Sequence, residues 1–210
     1  MAIDSVAVDS GALWHFMIGG PPRSGKSTLA ALLQNETGGM IVRADALMTA
    51  FTSTAAETGL SSDSIEALDS TFLALVVCRY ARSLSRREGI PIIVEGIGLT
   101  PESIDRGLLR QARFRPVFLG YPYISVEEKT DQIKRHAETD PTCWSHDVSD
   151  LRLREITGAA IRDSLETRLK CFRAGLPFFD TGKDFDATLA AARDRLLRQA
   201  NSNRPDDGSD

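Results

Sequence analysis

The sequence has few cysteines and few histidines. Its three cysteines, Cys78, Cys143 and Cys171, are widely spaced and form no C-x-x-C pair, and its three histidines are scattered as well. A dispersed set of this kind predicts neither a disulfide framework nor a zinc cluster. The fold must therefore be stabilised by an apolar core, which a chain of 210 residues is long enough to bury.

Long apolar runs and an excess of positive charge are also absent. No stretch approaches the roughly 20 apolar residues of a membrane span, and no basic region followed by an apolar core marks an export signal. The 25 Lys and Arg residues against 29 Asp and Glu give a net charge of −4, which argues against a surface for duplex nucleic acid. We therefore expect a cytoplasmic protein with neither a membrane nor duplex nucleic acid among its partners.

Short apolar segments alternate with segments of helical periodicity along most of the chain. Apolar runs soon followed by Gly, Asp or Glu are typical of buried parallel strands, and they cover 13–18, 40–42, 90–94, 116–119 and 176–179. Amphipathic helices are predicted over 62–87, from 101, over 125–138, within 149–174 and from 185. This alternation predicts a three-layer α/β domain with a mainly parallel sheet.

One domain and one tail account for the chain. We predict a single domain over 1–200, with residues 1–11 loosely held, and a disordered tail over 201–210, which is polar, acidic and without a large apolar residue. Within the domain, a helix, a break containing proline and a second helix predict a short lid at about 136–152.

The most specific motif follows the first predicted strand. Residues 20–27 read G-P-P-R-S-G-K-S, the G-x-x-x-x-G-K-S pattern of a phosphate-binding loop between a strand and a helix. Glycines let successive backbone N–H groups point at phosphate oxygens, and the helix adds its positive end. Lys26 is predicted to bridge the β- and γ-phosphates, and Ser27 to hold Mg²⁺. The nucleotide-binding residues predicted from this motif are Gly20, Pro21, Pro22, Arg23, Ser24, Gly25, Lys26, Ser27 and Thr28.

Two carboxylates follow the second and third predicted strands, at the edge of a parallel sheet where ligands bind. Asp45 can accept a proton from a substrate hydroxyl as that hydroxyl attacks the γ-phosphate, or it can cap a short helix. Glu95 can complete the Mg²⁺ site with Ser27, or it can accept a hydrogen bond from a nearby backbone N–H. We predict the catalytic and metal-binding roles, and the structural alternatives stay open at this point.

Further cations and one loop complete the predicted site. Arg135, on the helix after the fourth strand, is our first choice for a catalytic arginine that contacts the nucleotide, followed by Arg152 and Arg154. A solvated helical face explains the same charges. Thr181 lies in the loop after the fifth strand and is predicted to bind the nucleotide, because backbone groups of this loop can surround the adenine edge. An ordinary strand-to-helix turn is the alternative.

Taken together, these residues resemble the small P-loop kinases, the group of adenylate kinase, shikimate and gluconate kinases, chloramphenicol phosphotransferase and zeta-toxin-like kinases. The resemblance covers about residues 12–200 and is nearest to kinase-like proteins of bacteria. Its motifs are G-G-P-P-R-S-G-K-S-T at 19–28, the Asp45 that follows a strand, I-I-V-E-G at 92–96 and F-F-D-T at 178–181.

The resemblance implies both a topology and a reaction. It implies a five-stranded parallel sheet of order 2-3-1-4-5, an acceptor pocket in the helices of 46–87, and a lid after the fourth strand. It implies ATP as the phosphoryl donor with Mg²⁺, and it makes Asp45 the carboxylate that contacts the acceptor hydroxyl.

Two departures from this group bear on the acceptor. Nucleoside monophosphate kinases usually place an arginine three residues beyond the Asp45 position, where this chain has Met48, and their lids are richer in arginine than 139–150, which has none. We therefore favour transfer of the γ-phosphate of ATP to a hydroxyl of a small molecule, by a monomer or homodimer. A nucleotide or nucleotide-sugar kinase and an ATP-binding regulatory protein with little turnover are the alternatives.

Overall fold

The structure is a computed structural model, and the residues it describes are 14–57, 76–77, 79–81, 83–84, 89–104, 113–139 and 144–201. Several predictions from the sequence lie outside these residues. They concern the loosely held N-terminus 1–11, most of the helix over 62–87, the helix from 101 beyond Ile104, and the tail after Asn201. The part of 62–87 that is described is helical, and it buries Val77 and Ala81.

All five predicted strands are present, and they form one parallel sheet of order β2-β3-β1-β4-β5. This is the predicted order. The strands are β1 His15–Gly19, β2 Met40–Arg43, β3 Ile92–Gly96, β4 Phe114–Gly120 and β5 Phe178–Asp180. Pro91 and Pro177 stand directly before β3 and β5, where a missing N–H is tolerated.

Besides the helical residues between 76 and 84, five α-helices with described bounds connect and cover these strands. They are α1 Lys26–Thr37, α2 Ala44–Glu57, α3 Val126–Thr139, α4 Asp150–Ala174 and α5 Phe185–Asn201, with a short 3₁₀ helix at Trp144–Asp147. No helix among the described residues is both long enough and apolar enough to cross a membrane.

The core lies on both faces of the sheet, because side chains alternate along each strand. From β1, Phe16 and Ile18 enter one apolar cluster with α1 and α5, which contribute Leu29 and Leu189 among others. Met17 points to the other face, into a second cluster that includes Val94, Phe118 and Cys171. Two buried faces require a layer of helices on each side, as the apolar runs predicted.

Helix α4 turns a different face to the core than its apolar pattern indicates. Ile161, Leu165, Leu169 and Phe172 mark one face in the sequence, but Phe172 is 87% exposed. The buried face consists of Leu153, Thr157, Ala160, Ser164 and Cys171. Small residues are needed there because α4 approaches β4 closely: a Cβ on Gly120 would lie 3.1 Å from Cβ of Ser164. The predicted end of the helix is confirmed, with Gly175 in the left-handed conformation as its C-cap.

Of the predicted helix–break–helix, the structure describes both helices and the 3₁₀ helix between them, and the proline of the break lies outside the described residues. Lys134 Nζ of α3 lies 2.6 Å from Asp150 Oδ2, and Arg154 Nη1 of α4 lies 3.5 Å from Glu127 Oε1. These ion pairs join the two helices at exposed positions, where such pairs contribute little to stability. The role of this segment as a lid, and its extent of about 136–152, stay predictions.

Candidate functional site

The phosphate loop lies between β1 and α1, at the carboxyl end of the central strand of the sheet. Gly20 has a φ of +139°, and a Cβ at this residue would lie 2.1 Å from the Leu119 carbonyl oxygen. Only glycine fits this close approach to β4. Gly25 is the N-cap of α1, so Lys26 and Ser27 are the first two residues of the helix. Their backbone positions are those that a bound anion needs at a helix N-terminus.

Two buried hydroxyl groups hold the loop from neighbouring strands. The Tyr121 hydroxyl, directly after β4, donates to the Pro22 carbonyl oxygen at 2.5 Å. The Thr181 hydroxyl, directly after β5, lies 3.1 Å from both the Ser24 and the Gly120 carbonyl oxygens. Thr181 was predicted to bind nucleotide, and its hydroxyl binds the loop backbone. These hydrogen bonds fix the outer side of the loop to the sheet.

Lys26 is buried beside both predicted carboxylates. Its side chain is 7% exposed, and Nζ donates to the Pro21 carbonyl oxygen at 2.9 Å. Burial lowers the pKa of Lys26, and the negative charges of Glu95 and Asp45 oppose that shift. The Lys26 ammonium group thus interacts with three elements: the loop through the Pro21 carbonyl oxygen, β3 through Glu95, and α2 through Asp45.

Ser27 and Glu95 meet as the sequence predicted for a metal site. The Ser27 hydroxyl donates to Glu95 Oε1 at 3.2 Å, and Arg43 Nε lies 3.6 Å from the same oxygen. No group of three or more His, Cys, Asp or Glu side chains suited to a metal occurs in the described part of the chain. A hydroxyl and one carboxylate nevertheless fit Mg²⁺, which is usually held by one or two protein oxygens together with phosphates and water.

Asp45 connects α2 to the turn after β3. Its Oδ1 and Oδ2 accept from Ile97 N at 2.8 and 3.1 Å, and Oδ1 lies 3.5 Å from Gly98 N. Asp45 is the second residue of α2, and these bonds join it to another element rather than capping its own helix. A Cβ on Gly96 would lie 2.9 Å from Asp45 Oδ1, so glycine makes room for the carboxylate.

A cavity of about 510 Å³ opens above the loop. This volume lies within the range of small-molecule and cofactor sites. Its walls come from the loop and α1, from α3, and from the loop after β5. The lining residues are Arg23, Gly25, Lys26, Ser27, Thr28, Lys129, Gln132, Ile133, His136, Thr181, Gly182, Lys183 and Phe185.

Helix α3 presents different residues to this cavity from the one the sequence singled out. Arg135 is exposed and is not among the lining residues. The face that lines the cavity carries Lys129, Gln132, Ile133 and His136, which recur at the spacing of one helical face. The signal was in the sequence: Thr130, Ile133 and Ala137 recur at helical spacing and mark the buried face, whereas Arg135 lies off it. Arg152 and Arg154 instead pair with Glu155 and Glu127.

Lys129 is a further functional candidate on this helix, which carries several cations in the sequence, and sequence reasoning selected Arg135 instead. It is 4% exposed, its Nζ lies 4.2 Å from the centroid of the Tyr121 ring, and it donates to Gln132 Oε1 at 3.4 Å. Burial, together with the positive charge of Arg23, lowers the pKa of Lys129 to about 8. A cation that can lose its proton near neutral pH thus lines the cavity.

Solved structures of small P-loop kinases share this fold. A gluconokinase from Sinorhizobium meliloti 1021 matches with a TM-score of 0.51 at 17% identity, over 90% of this chain and 94% of that one. A shikimate kinase from Bacteroides thetaiotaomicron matches with a TM-score of 0.50 at 13% identity, over 90% and 99%. No protein-family model and no curated protein matches the chain. The fold is that of the small P-loop kinases, as the motifs predicted.

Proposed function

We propose that the protein is an ATP- and Mg²⁺-dependent phosphotransferase that moves the γ-phosphate to a hydroxyl of a small molecule. The observation that carries the proposal is the convergence of Lys26, Ser27, Asp45 and Glu95 beside one phosphate loop. A protein that only bound nucleotide would need the lysine and the hydroxyl but no acceptor carboxylate. The likeness in fold to proteins named as a gluconokinase and a shikimate kinase also supports a small acceptor.

The phosphates are bound by the loop and Lys26. The N-terminus of α1 and the Lys26 ammonium stabilise the negative charge that spreads over the transferred phosphoryl group. Ser27 and Glu95 would hold Mg²⁺, which neutralises phosphate charge when it is bound. The Arg43 guanidinium near Glu95 keeps that carboxylate oriented toward Ser27.

Asp45 acts on the acceptor. As the acceptor oxygen bonds to the γ-phosphorus, the bond from that phosphorus to the bridging oxygen of ADP breaks, and the hydroxyl proton passes to the Asp45 carboxylate. Each carboxylate oxygen has more than one lone pair, so the bonds from Ile97 N and Gly98 N leave room for the acceptor hydroxyl. Those bonds also hold the carboxylate in place before the acceptor arrives.

The experiment is a screen for ADP release with ATP, Mg²⁺ and panels of nucleotides, sugars, amino-acid alcohols and aminoglycoside-like compounds. We expect release that depends on a hydroxylated acceptor without phosphate, and its loss in Asp45→Asn with ATP binding intact. Asparagine keeps an oxygen for Ile97 N but cannot take up the proton.

Three other outcomes would contradict the proposal. Release that depends on a nucleotide or nucleotide sugar would favour the nucleotide-kinase alternative. ATP binding without release by any acceptor would favour a regulatory protein. Unchanged acceptor-dependent release by Asp45→Asn would remove Asp45 from the reaction.

A further inference from the structure

Arg23 has a backbone conformation that residues with a side chain rarely adopt. Its φ is +59°, in the left-handed region, and the other non-glycine residue with positive φ in the described part of the chain is Arg113, at +52°. Glycine takes this conformation without steric cost, whereas a Cβ strains it. Strained conformations of this kind cluster at active sites and ligand-binding segments.

Arg23 lines the cavity together with other cationic residues. Lys26, Lys129 and Lys183 line the same space. The Arg23 charge contributes to the lowered pKa of Lys129, so the two groups are close enough to repel each other. Arg23 also acts to lower the pKa of Tyr121, against the larger effects of burial and of the negative charge of Asp163, which both raise it. Positive groups gathered around one cavity disfavour one another in the free protein, and an anionic ligand relieves that repulsion.

Arg23 is the one arginine among the described residues that line the cavity. Arginine suits phosphate because its planar guanidinium can donate two parallel hydrogen bonds to one phosphate group. Arg135 of α3 and Arg152 and Arg154 of α4 are not among the lining residues. Arg135 is exposed outside the cavity lining, and Arg152 and Arg154 pair with glutamates.

We propose that the Arg23 guanidinium binds the phosphates of the nucleotide and so supplies, from within the loop, the arginine that the lid does not bring to the cavity. The inference rests on the proposed function, because it assumes a nucleoside polyphosphate in the cavity. The loop then binds phosphate in two ways: through its backbone and the start of α1, and through the side chain of a residue in the left-handed conformation.

The test is Arg23→Gly, measured by calorimetric titration with ADP and with inorganic tripolyphosphate, each with Mg²⁺. Glycine suits a φ of +59°, so the variant keeps the loop geometry and loses only the side chain. Arg113→Gly is the matched control: it makes the same substitution at the same kind of backbone, and Arg113 does not line the cavity. Thermal melting of both variants checks that they are folded.

We expect Arg23→Gly to lose about tenfold or more in affinity for both ligands, the range for hydrogen bonds to a charged group. Arg113→Gly should bind both ligands as the wild-type protein does. Unchanged ADP affinity in Arg23→Gly would overturn the inference, and so would loss of ADP affinity without loss for tripolyphosphate, because the guanidinium would then contact the nucleoside. Wild-type protein that binds no nucleoside phosphate would overturn the proposed function itself.

Discussion

The phosphate loop and helix α3 form two walls of the same cavity, and their side chains are positioned in different ways. In the loop, Gly20 and the start of α1 place Lys26 and Ser27 through local backbone geometry. On α3, Lys129 lines the cavity because the helix packs with one particular face inward. A short motif determines the first wall, whereas packing between elements distant in sequence determines the second. The predictions below test each wall separately.

The largest effect is expected at Lys26, on the wall that the motif determines. Lys26→Ala should weaken ATP binding about 100-fold, the upper end of the range for hydrogen bonds to a charged group. Fluorescence or calorimetric titration with an ATP analogue measures it. Lys170→Ala, at a lysine of α4 that pairs with Glu102 and Glu166 and is not among the lining residues, is the control and should change binding by less than about threefold. Retention of wild-type affinity by Lys26→Ala would show that the loop is not the phosphate site.

Lys129 and Arg135 test the wall that packing determines. Lys129→Met should weaken ADP binding about tenfold, because a buried cation facing the ligand is lost while the apolar stem is kept. Arg135→Met removes the same charge from an exposed position on the same helix and should leave binding within about twofold. If the two variants were equally impaired, the face of α3 assigned to the cavity would be wrong.

The pH dependence of binding follows from the lowered pKa of Lys129, about 8. The groups facing its ammonium are the Arg23 guanidinium, the Tyr121 ring and the Gln132 amide. A bound polyphosphate raises this pKa again, so above pH 8 binding must take up a proton and affinity must fall as pH rises. Titrations from pH 7 to 9.5 should show this decline in wild-type protein and a weaker one in Lys129→Met. If affinity fell equally with pH in the wild-type protein and in Lys129→Met, Lys129 would be excluded as the source of the decline.

The lowered pKa of Lys129 also affects the stability of the unliganded protein, which rises with pH, whereas the affinity for the ligand falls. The unfolded chain keeps Lys129 protonated up to its usual pKa of 10.5, whereas the folded state releases that proton near pH 8. Between these values the unfolded state binds more protons, so this residue makes the unliganded protein more stable as pH rises. Chemical denaturation between about pH 8 and 10.5 should show that the free energy of unfolding of the wild-type protein rises with pH. In Lys129→Met this rise should be smaller.

The smallest effect is expected at Tyr121, which links the two walls. Tyr121→Phe removes the hydrogen bond to the Pro22 carbonyl oxygen and keeps the ring beneath Lys129. We expect a loss of about 1 kcal/mol in the free energy of unfolding, as for one buried hydrogen bond, and a few-fold loss of ADP affinity. Tyr123→Phe, at a residue 58% exposed, should change neither. If neither the free energy of unfolding nor the ADP affinity changed in Tyr121→Phe, the loop would keep its shape without this hydrogen bond.

Much of the fold was predictable because it depends on local patterns. Apolar runs identified all five strands, and the phosphate-loop motif located the ligand edge of the sheet. The pattern was less informative on α4, where Phe172 is exposed and Ser164 is buried. Residue hydrophobicity could not show that α4 must approach Gly120 closely, since that requirement comes from a strand about 40 residues away.

Of the site, the sequence by itself determined the phosphate loop, the two carboxylates and the strand ends that carry them. These follow from short-range rules: a glycine-rich turn, a helix start, and residues that end parallel strands. Only the tertiary structure decided that Asp45 bonds Ile97 N, that Tyr121 holds Pro22, and that Lys129 rather than Arg135 lines the cavity. Each of these depends on how two distant elements pack: the apolar stripe of a helix turns that face toward the core, but which neighbouring polar side chains then line a cavity depends on the element opposite.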